Sequence, residues 1–428
     1  MKKFWSIVLA AIFVVLVYVG SGICSPKEAK LTVWMCKTFS PAANDMIKQR
    51  AKEFARKNNV KLDIVLIPYT DFYPKWTAAI ESGQTPDVSF FGYQEVGEFY
   101  SKGLLMDLSA LDKKIEKEQG AFFPSVKAPI TFQGKQYAIP LWVESQVLYY
   151  RKDMLKAAGF NHPPQTWDEF RKIAKATTDA SKGIYGAGLG YGRGNIDCEW
   201  LTRVIIASFG GSEVSKDGKK VTIYSPGTLK AAKFISDLFL VDKATPPSSL
   251  GWDDSGNNKA YLSGQAAMIF NVGTVLAAMK NDNPDLYAKT GIAMVPAGPK
   301  GRFAIEIVNN FGIFKSTKNP QLAQKFIRYC LNKDWYGKWL EKGVPHMAPV
   351  YQSLANDSLW QDPMYQPFIQ QAKYFIFAGY RGEYSPQAGK VFNLRYINDA
   401  FQRMLIEKVP PKKAIKELQR NMEKVYKK

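Results

Sequence analysis

The run PLWVESQVLYY, residues 140–150, sets Glu144 and Gln146 inside an otherwise apolar and aromatic stretch. Side chains alternate along an extended strand, so Pro140, Trp142, Glu144 and Gln146 share one face while Leu141, Val143, Ser145 and Val147 share the other. A charge on such a strand is expensive to bury unless it is paired or opens on a wet cleft. Glu144 therefore marks a contact with a polar ligand. Its carboxylate would accept hydroxyl donors, or, with a second carboxylate across a glycosidic bond, act in hydrolysis.

Nothing local selects that second carboxylate. His162 and His346 are the two histidines, His162 sits in an NHPP turn, and neither HExxH nor GxSxG occurs. No enzyme is expected, and a secreted glycoside hydrolase is the competing class. Cys36, Cys198 and Cys330 stand at wide spacings with no CxxC, which argues against zinc; one disulfide is permitted in an oxidising compartment without a pairing being assigned. The stretch GIYGAGLGYGRGN (183–195) lacks both GxGxxG and GK[ST], so it reads as a flexible strand and loop near a ligand and not as a nucleotide loop. No cofactor or metal is expected.

The elements that must position Glu144 follow an α/β rhythm. KLTVWMC (30–36) alternates as a first strand, residues 42–59 carry apolar positions at helical spacing, and VKLDIVLIPY (60–69) is a second strand. A helix to Ser82, a turn at 83–86 and a strand over 87–91 continue it. Ligands of open α/β sheets sit beyond the carboxyl ends of strands, here 36–40 and 91–95. Thr166 reads as an N-cap, with Glu169 completing a capping box. Helices are expected over 225–239 and 319–331, with an alternating strand at 303–314 and an amphipathic helix over 397–427.

At 428 residues with 46% hydrophobic content, the chain can fill more than one core, which excludes global disorder. Its start, MKKFWSIVLAAIFVVLVYVGSGICS, has two lysines, an uncharged apolar run and small residues at 20–22, the layout of a bacterial export signal. Three fates are open: cleavage near Gly22, cleavage before Cys24 with lipid added there, or retention as an anchor. The balance of 58 Lys and Arg against 38 Asp and Glu gives a net charge of +20. Its lysines are scattered, and in an exported protein attraction to an anionic membrane or cell wall fits better than nucleic acid.

Four phrases in order, TPDVSFFGYQEVGEFYSKGLLMDLS, GKQYAIPLWVESQVLYYRKDMLKAAGFNHPPQTWDEF, AYLSGQAAMIFNVG and VPAGPKGR with NNFGIFKSTKNPQLAQKFIRYCLNKD, resemble the extracellular solute-binding proteins of ABC transporters, in the group of maltose-binding protein. The resemblance spans most of residues 30–334. It implies a two-lobe, periplasmic-binding-protein-like α/β fold of class II with ligand in the interlobe cleft and closure by hinge bending. One lobe would comprise 30–143 plus 312–346 and the other 144–303 plus 351–428, with 1–23 a signal peptide and further crossings at 303–314 and 344–351. Its glutamate near a sugar hydroxyl carries over to Glu144, flanked by Trp142 and Gln146. Phe91, Tyr93, Gln94 and Glu95 match another ligand segment; Trp is common in the family at the position of Phe91, and an acid and a base follow it there.

The resemblance further implies Lys37, Arg193, Asn195, Asp197, Trp200, Trp252, Asp253, Asn271, Thr274, Tyr384, Phe392 and Arg395 as ligand contacts. Beside this stand plainer readings: Trp142 as core, Tyr149 and Tyr150 as packing, Asp253 and Asp254 as a helix cap, Arg193 and Asp197 as a surface pair. A pyranose offers C–H faces to rings and hydroxyls to Asp, Glu, Asn, Gln and Arg, so a mono- or short oligosaccharide is the expected ligand. A glycerol phosphodiester or polyamine is the alternative. The expected partner is the permease of an ABC importer, reached by a monomer in the periplasm or at the outer face of the membrane, with lipid anchoring through Cys24 open.

Overall fold

Leu31, Val33 and Met35 of the strand Lys30–Cys36 are fully buried between less buried neighbours, the alternation that one covered sheet face demands. The computed structural model describes residues 30–355 and 357–427; the segment expected to be an export signal, with Cys24, lies outside the described residues. Lys30–Cys36 pairs in parallel with Lys61–Ile67 on one side and Val88–Gly92 on the other. The helix Pro41–Asn58 links the first two, with Ser40 as N-cap and Asn59 ending it in the left-handed region at φ 49°. Asn tolerates that conformation better than most residues, which stops the helix ahead of the next strand.

Ala304–Ile313 lies antiparallel to both Val88–Gly92 and Ile139–Ser145, completing a six-stranded sheet with the short strand Phe375–Ile376. A second, four-stranded sheet runs Thr290–Ala293, Val147–Arg151, Ala266–Asn271 and Tyr185–Ala187. Ile139–Ser145 belongs to the first sheet and Val147–Arg151 to the second, so the chain changes sheet at Gln146. Gln371 holds this junction, donating from Nε2 to Ser145 Oγ and to the Gln146 carbonyl. The chain returns between Ala293 and Ala304. It passes a third time after Ala348, which bridges Val143, and then sends Trp360, Tyr365 and Phe368 into the apolar cluster around Val147 and Tyr149.

Several local expectations are refined. Thr166 Oγ1 accepts from Glu169 N at 3.2 Å, but the Glu169 carboxylate reaches back to Gln165 N, one residue beyond the capping-box partner. The helix expected over 397–427 is two, Tyr396–Leu405 and Pro411–Tyr426, because Pro410 and Pro411 cannot donate to a continuous helix. The strand expected over 303–314 forms as Ala304–Ile313 and is buried along its whole length rather than alternating, since it is paired on both edges inside the sheet. The helix Pro386–Asn393, expected to belong to the second lobe, packs on Tyr93–Ser101 beside the first sheet. Cys36, Cys198 and Cys330 are free, buried thiols. Among the described residues no helix is long and apolar enough to cross a membrane.

Glu306 sits opposite Ser145 at the sheet junction with 4% exposure, a Ser125 hydroxyl 3.3 Å from Oε1 and no partner for Oε2. Burial pushes its carboxyl up to about 7. The folded state then keeps the proton to about pH 7, whereas an unfolded glutamate releases it near about pH 4.3. Stability from this group is complete below the lower value and is lost as pH rises through the upper one. Glu306→Gln should therefore raise the melting temperature at pH 8 by about 2 °C and leave it unchanged at pH 4, in parallel thermal melts.

Candidate functional site

A cleft of about 1030 Å³ opens where the two sheets meet, at the top of the size range of small-molecule sites. Its first-sheet wall comes from chain just past two strand ends, Lys37 and Tyr69, together with Phe90 and Asn309. Asp197, Asp254, Asn271 and Thr274 supply the wall on the other side. Glu144 stands at the crossing between them.

Glu144 is held by its Oε1 alone. That oxygen accepts from Trp142 Nε1 and Asn309 Nδ2, each at 2.7 Å, while Oε2 stays 3.6 Å from His346 Nδ1. One oxygen is thus anchored and the other is left for an incoming donor. Trp142 takes its place behind the acid, with 0% exposure and its ring stacked on Phe90 at 5.2 Å. It orients Glu144 from behind and is not among the side chains that line the cleft, a placement that matches the core reading of Trp142.

Across the cleft, Asp197 in the first turn of the helix Ile196–Ser208 gathers amides. Oδ1 accepts from Gln146 Nε2 at 2.8 Å, and Oδ2 accepts from Asn257 Nδ2 at 2.8 Å and Asn271 Nδ2 at 2.9 Å. Asn271 Oδ1 in turn accepts from Thr274 Oγ1. Asn195 is the helix N-cap, its Oδ1 accepting from Cys198 N, and is fully buried. Asp254 Oδ1 accepts from Ile196 N and Asp197 N, at 3.0 and 3.1 Å, so it does act as a helix cap, though for a helix 58 residues earlier in the chain. Burial, then the Asp254 carboxylate, pushes the Asp197 carboxyl well above its usual range, and burial raises Asp254 too. Gln146, expected on the ligand face, is buried and donates to Asp197.

The predicted rings fall mostly into the core. Phe91 is fully buried among Trp76, Phe99 and Phe314, and its neighbour Phe90 is the ring on the cleft side. Tyr93 and Phe392 are fully buried and both pack on Trp200, which lines the cleft with only 1% exposed. Tyr384 donates to the carbonyls of Tyr93 and Gln94, tying Pro386–Asn393 to Tyr93–Ser101. Arg395 lies over the Phe392 ring at 4.7 Å and donates to the Phe392 carbonyl. Arg193 is exposed, lies off the cleft lining and acts with its charge on Asp399, and it makes no ion pair with Asp197. Trp252 is half-buried outside the cleft, and Asp253 at the rim accepts from Ser255.

Gln94 and Glu95 are buried at the start of Tyr93–Ser101, off the cleft wall; both Gln94 side-chain polar atoms and Glu95 Oε2 have no partner. Burial lifts the Glu95 carboxyl to about 7. Reading from sequence gave Asp254 only as a helix cap and did not place Asn309 or His346 beside the cleft. Asn309 and His346 lie in the segments 303–314 and 344–351 that the family resemblance had offered as crossings, so those segments were the available signal. Among the described residues no group of three metal-ligating side chains forms.

Comparison with known proteins agrees with this geometry. The family model for the bacterial extracellular solute-binding proteins matches residues 40–337. The diacetylchitobiose binding protein of Streptomyces coelicolor is 26% identical over 317 residues, covering 72% of this chain and 70% of the relative. The maltodextrin-binding protein of Bacillus subtilis is 25% identical over 310 residues, covering 71% and 69%. A solute-binding protein of Thermotoga lettingae solved with α-D-tagatose superposes with a TM-score of 0.82 at 24% identity, covering 93% of this chain and 100% of that one. With a matched segment that takes in strands of both sheets, including the strand bearing Glu144, the chain belongs to the bacterial extracellular solute-binding proteins.

Proposed function

We propose that this protein captures a sugar, a mono- or short oligosaccharide, outside the cytoplasm and delivers it to the permease of an ABC importer. The observation that carries the reading is Glu144, a carboxylate at the sheet crossing with one oxygen fixed by Trp142 and Asn309 and the other turned to the cleft. Sugar hydroxyls supply the donors such an acceptor needs, and the amides of Asn258, Asn271 and Asn309 complement them. The relatives named for oligosaccharides support the same ligand class. Ligand bridging both sides would favour the closed form by its difference in affinity for the two. The moving bodies would be 30–143 with 312–346 and 144–303 with 351–428, hinged at 303–314 and 344–351, with Pro386–Asn393 riding on the first.

The rival ligands fit less well. A polyamine needs free carboxylates, yet Asp197 engages three side-chain amides and Asp254 two backbone N–H groups. A phosphodiester calls for a free Arg in the cleft, and Arg395 lies on Phe392. Membrane attachment would follow from lipidation at Cys24, read by mass spectrometry of the mature amino terminus.

A thermal-shift screen of the mature protein against monosaccharides, polyols and α- and β-linked oligosaccharides tests the reading. A ligand at 100 times its Kd adds about 2.7 kcal/mol to the native state and raises the melting temperature. No shift with any sugar, or release of reducing ends from an oligosaccharide, would sink the transport role.

A further inference from the structure

Phe39 has 64% of its surface exposed, more than any other aromatic ring among the described residues, and it stands at the lip of the cleft. Single apolar residues on a surface need no explanation, but the backbone around this one is unusually well held. Thr38 N and Oγ1 both bond Asn44 Oδ1, at 2.9 and 3.0 Å, and Asn44 Nδ2 returns a bond to the Thr38 carbonyl. On the other side Ser40 caps the helix Pro41–Asn58 and donates at 2.6 Å to the Lys342 carbonyl. The ring is thus presented to solvent from a fixed base, which reduces the ordering cost of binding against it.

Its surroundings point inward. The Phe39 ring meets the His346 ring edge-on with centroids 6.2 Å apart, and His346 Nδ1 is 3.6 Å from Glu144 Oε2. One imidazole therefore separates the exposed ring from the acceptor at the floor. The other rings along the cleft, Phe90 and Trp200, are at most 1% exposed, and Tyr69 is half-buried. Val65, 42% exposed, extends the apolar strip on the same side, while Asp253, Ser255 and Asn258 give the far rim polar groups.

We propose that Phe39 is the outer stacking platform of this cleft and that the ligand is an oligosaccharide, one ring held at Glu144 and the next laid on Phe39. This rests on the sugar reading above. A pyranose has an apolar C–H face that packs on an aromatic ring and an edge of hydroxyls for the opposite rim. A monosaccharide bound at Glu144 would leave Phe39 uncovered.

The test compares wild type, Phe39→Ala and Phe39→Trp by calorimetry with glucose, galactose, maltose, cellobiose, lactose and maltotriose, together with any sugar found by the screen. The expected result is that Phe39→Ala weakens the best oligosaccharide about tenfold and its component monosaccharide less than about twofold, while Phe39→Trp restores the oligosaccharide. Equal loss for both lengths, no loss for either, or wild-type binding of monosaccharides only would overturn the platform while leaving the sugar reading standing. Binding of no sugar by the wild type would defeat both. Because Phe39 is exposed, unchanged melting temperatures of the unliganded variants separate these outcomes from misfolding.

Discussion

Glu144→Ala should weaken the protein's sugar about 100-fold, since a hydrogen bond to a charged group contributes about 1.5–3 kcal/mol and each 1.4 kcal/mol is a factor of ten. The same change removes the acceptor of Trp142 Nε1, an indole with 0% exposure, and of Asn309 Nδ2. Leaving a buried donor unpaired costs about 1–3 kcal/mol of stability, so the fold should survive with a lower melting temperature. Glu144→Gln separates the two effects. Its amide oxygen can still accept from Trp142 and Asn309, while the charge offered to the ligand is gone. Calorimetry should give weak binding in both variants and near-normal melting only in Glu144→Gln. Unaltered affinity in both would remove Glu144 from the site.

The second large effect lies behind Asp197, on the same helix. Arg203 is buried between Glu199 and Glu213, with contacts of 2.9 and 3.0 Å, and its guanidinium lies 5.2 Å from the Phe392 ring. Glu199 also accepts from Asn398 N and Glu213 from Gly379 N, so the cluster ties Ile196–Ser208 to the carboxy-terminal segment. A buried pair of this kind need not be more stable than an apolar equivalent, but removing one partner strands the others. Arg203→Met should cost about 3–5 kcal/mol, measured as a lowered midpoint in urea unfolding.

Burial already raises the Glu213 carboxyl, and loss of the cation would raise it further. A raised carboxyl is stabilising when protonated and loses that contribution as pH rises, so the deficit of Arg203→Met should be smaller at pH 5 than at pH 8. A deficit equal at both pH values would argue that the carboxylates find other partners.

Local physics made much of the fold legible. Thr166 announces its helix because an N-cap bond spans only three residues, and Lys30–Cys36 alternates because one sheet face is covered. Glu144 was legible for the same reason, since a charge in an apolar strand has few places to go. The choice between Phe90 and Phe91 was not. Val88–Gly92 is buried on both faces, so a period of two carries no sign of which face meets the cleft.

By its own pattern, then, the sequence determined an α/β protein and the acid placed on an apolar strand, while the crossing between lobes was implied by the family resemblance. Only the tertiary structure decided which groups stand beside that acid. Trp142, Tyr93, Tyr384 and Phe392 turn inward because the partners that cover them, Phe90, Trp200 and Tyr93–Ser101, come from distant parts of the chain. Asp254 reaches a helix 58 residues away, and Asn309 reaches Glu144 across 165. Burial and hydrogen bonding between such separated residues are set by packing of the two sheets, and no spacing within a single segment encodes them.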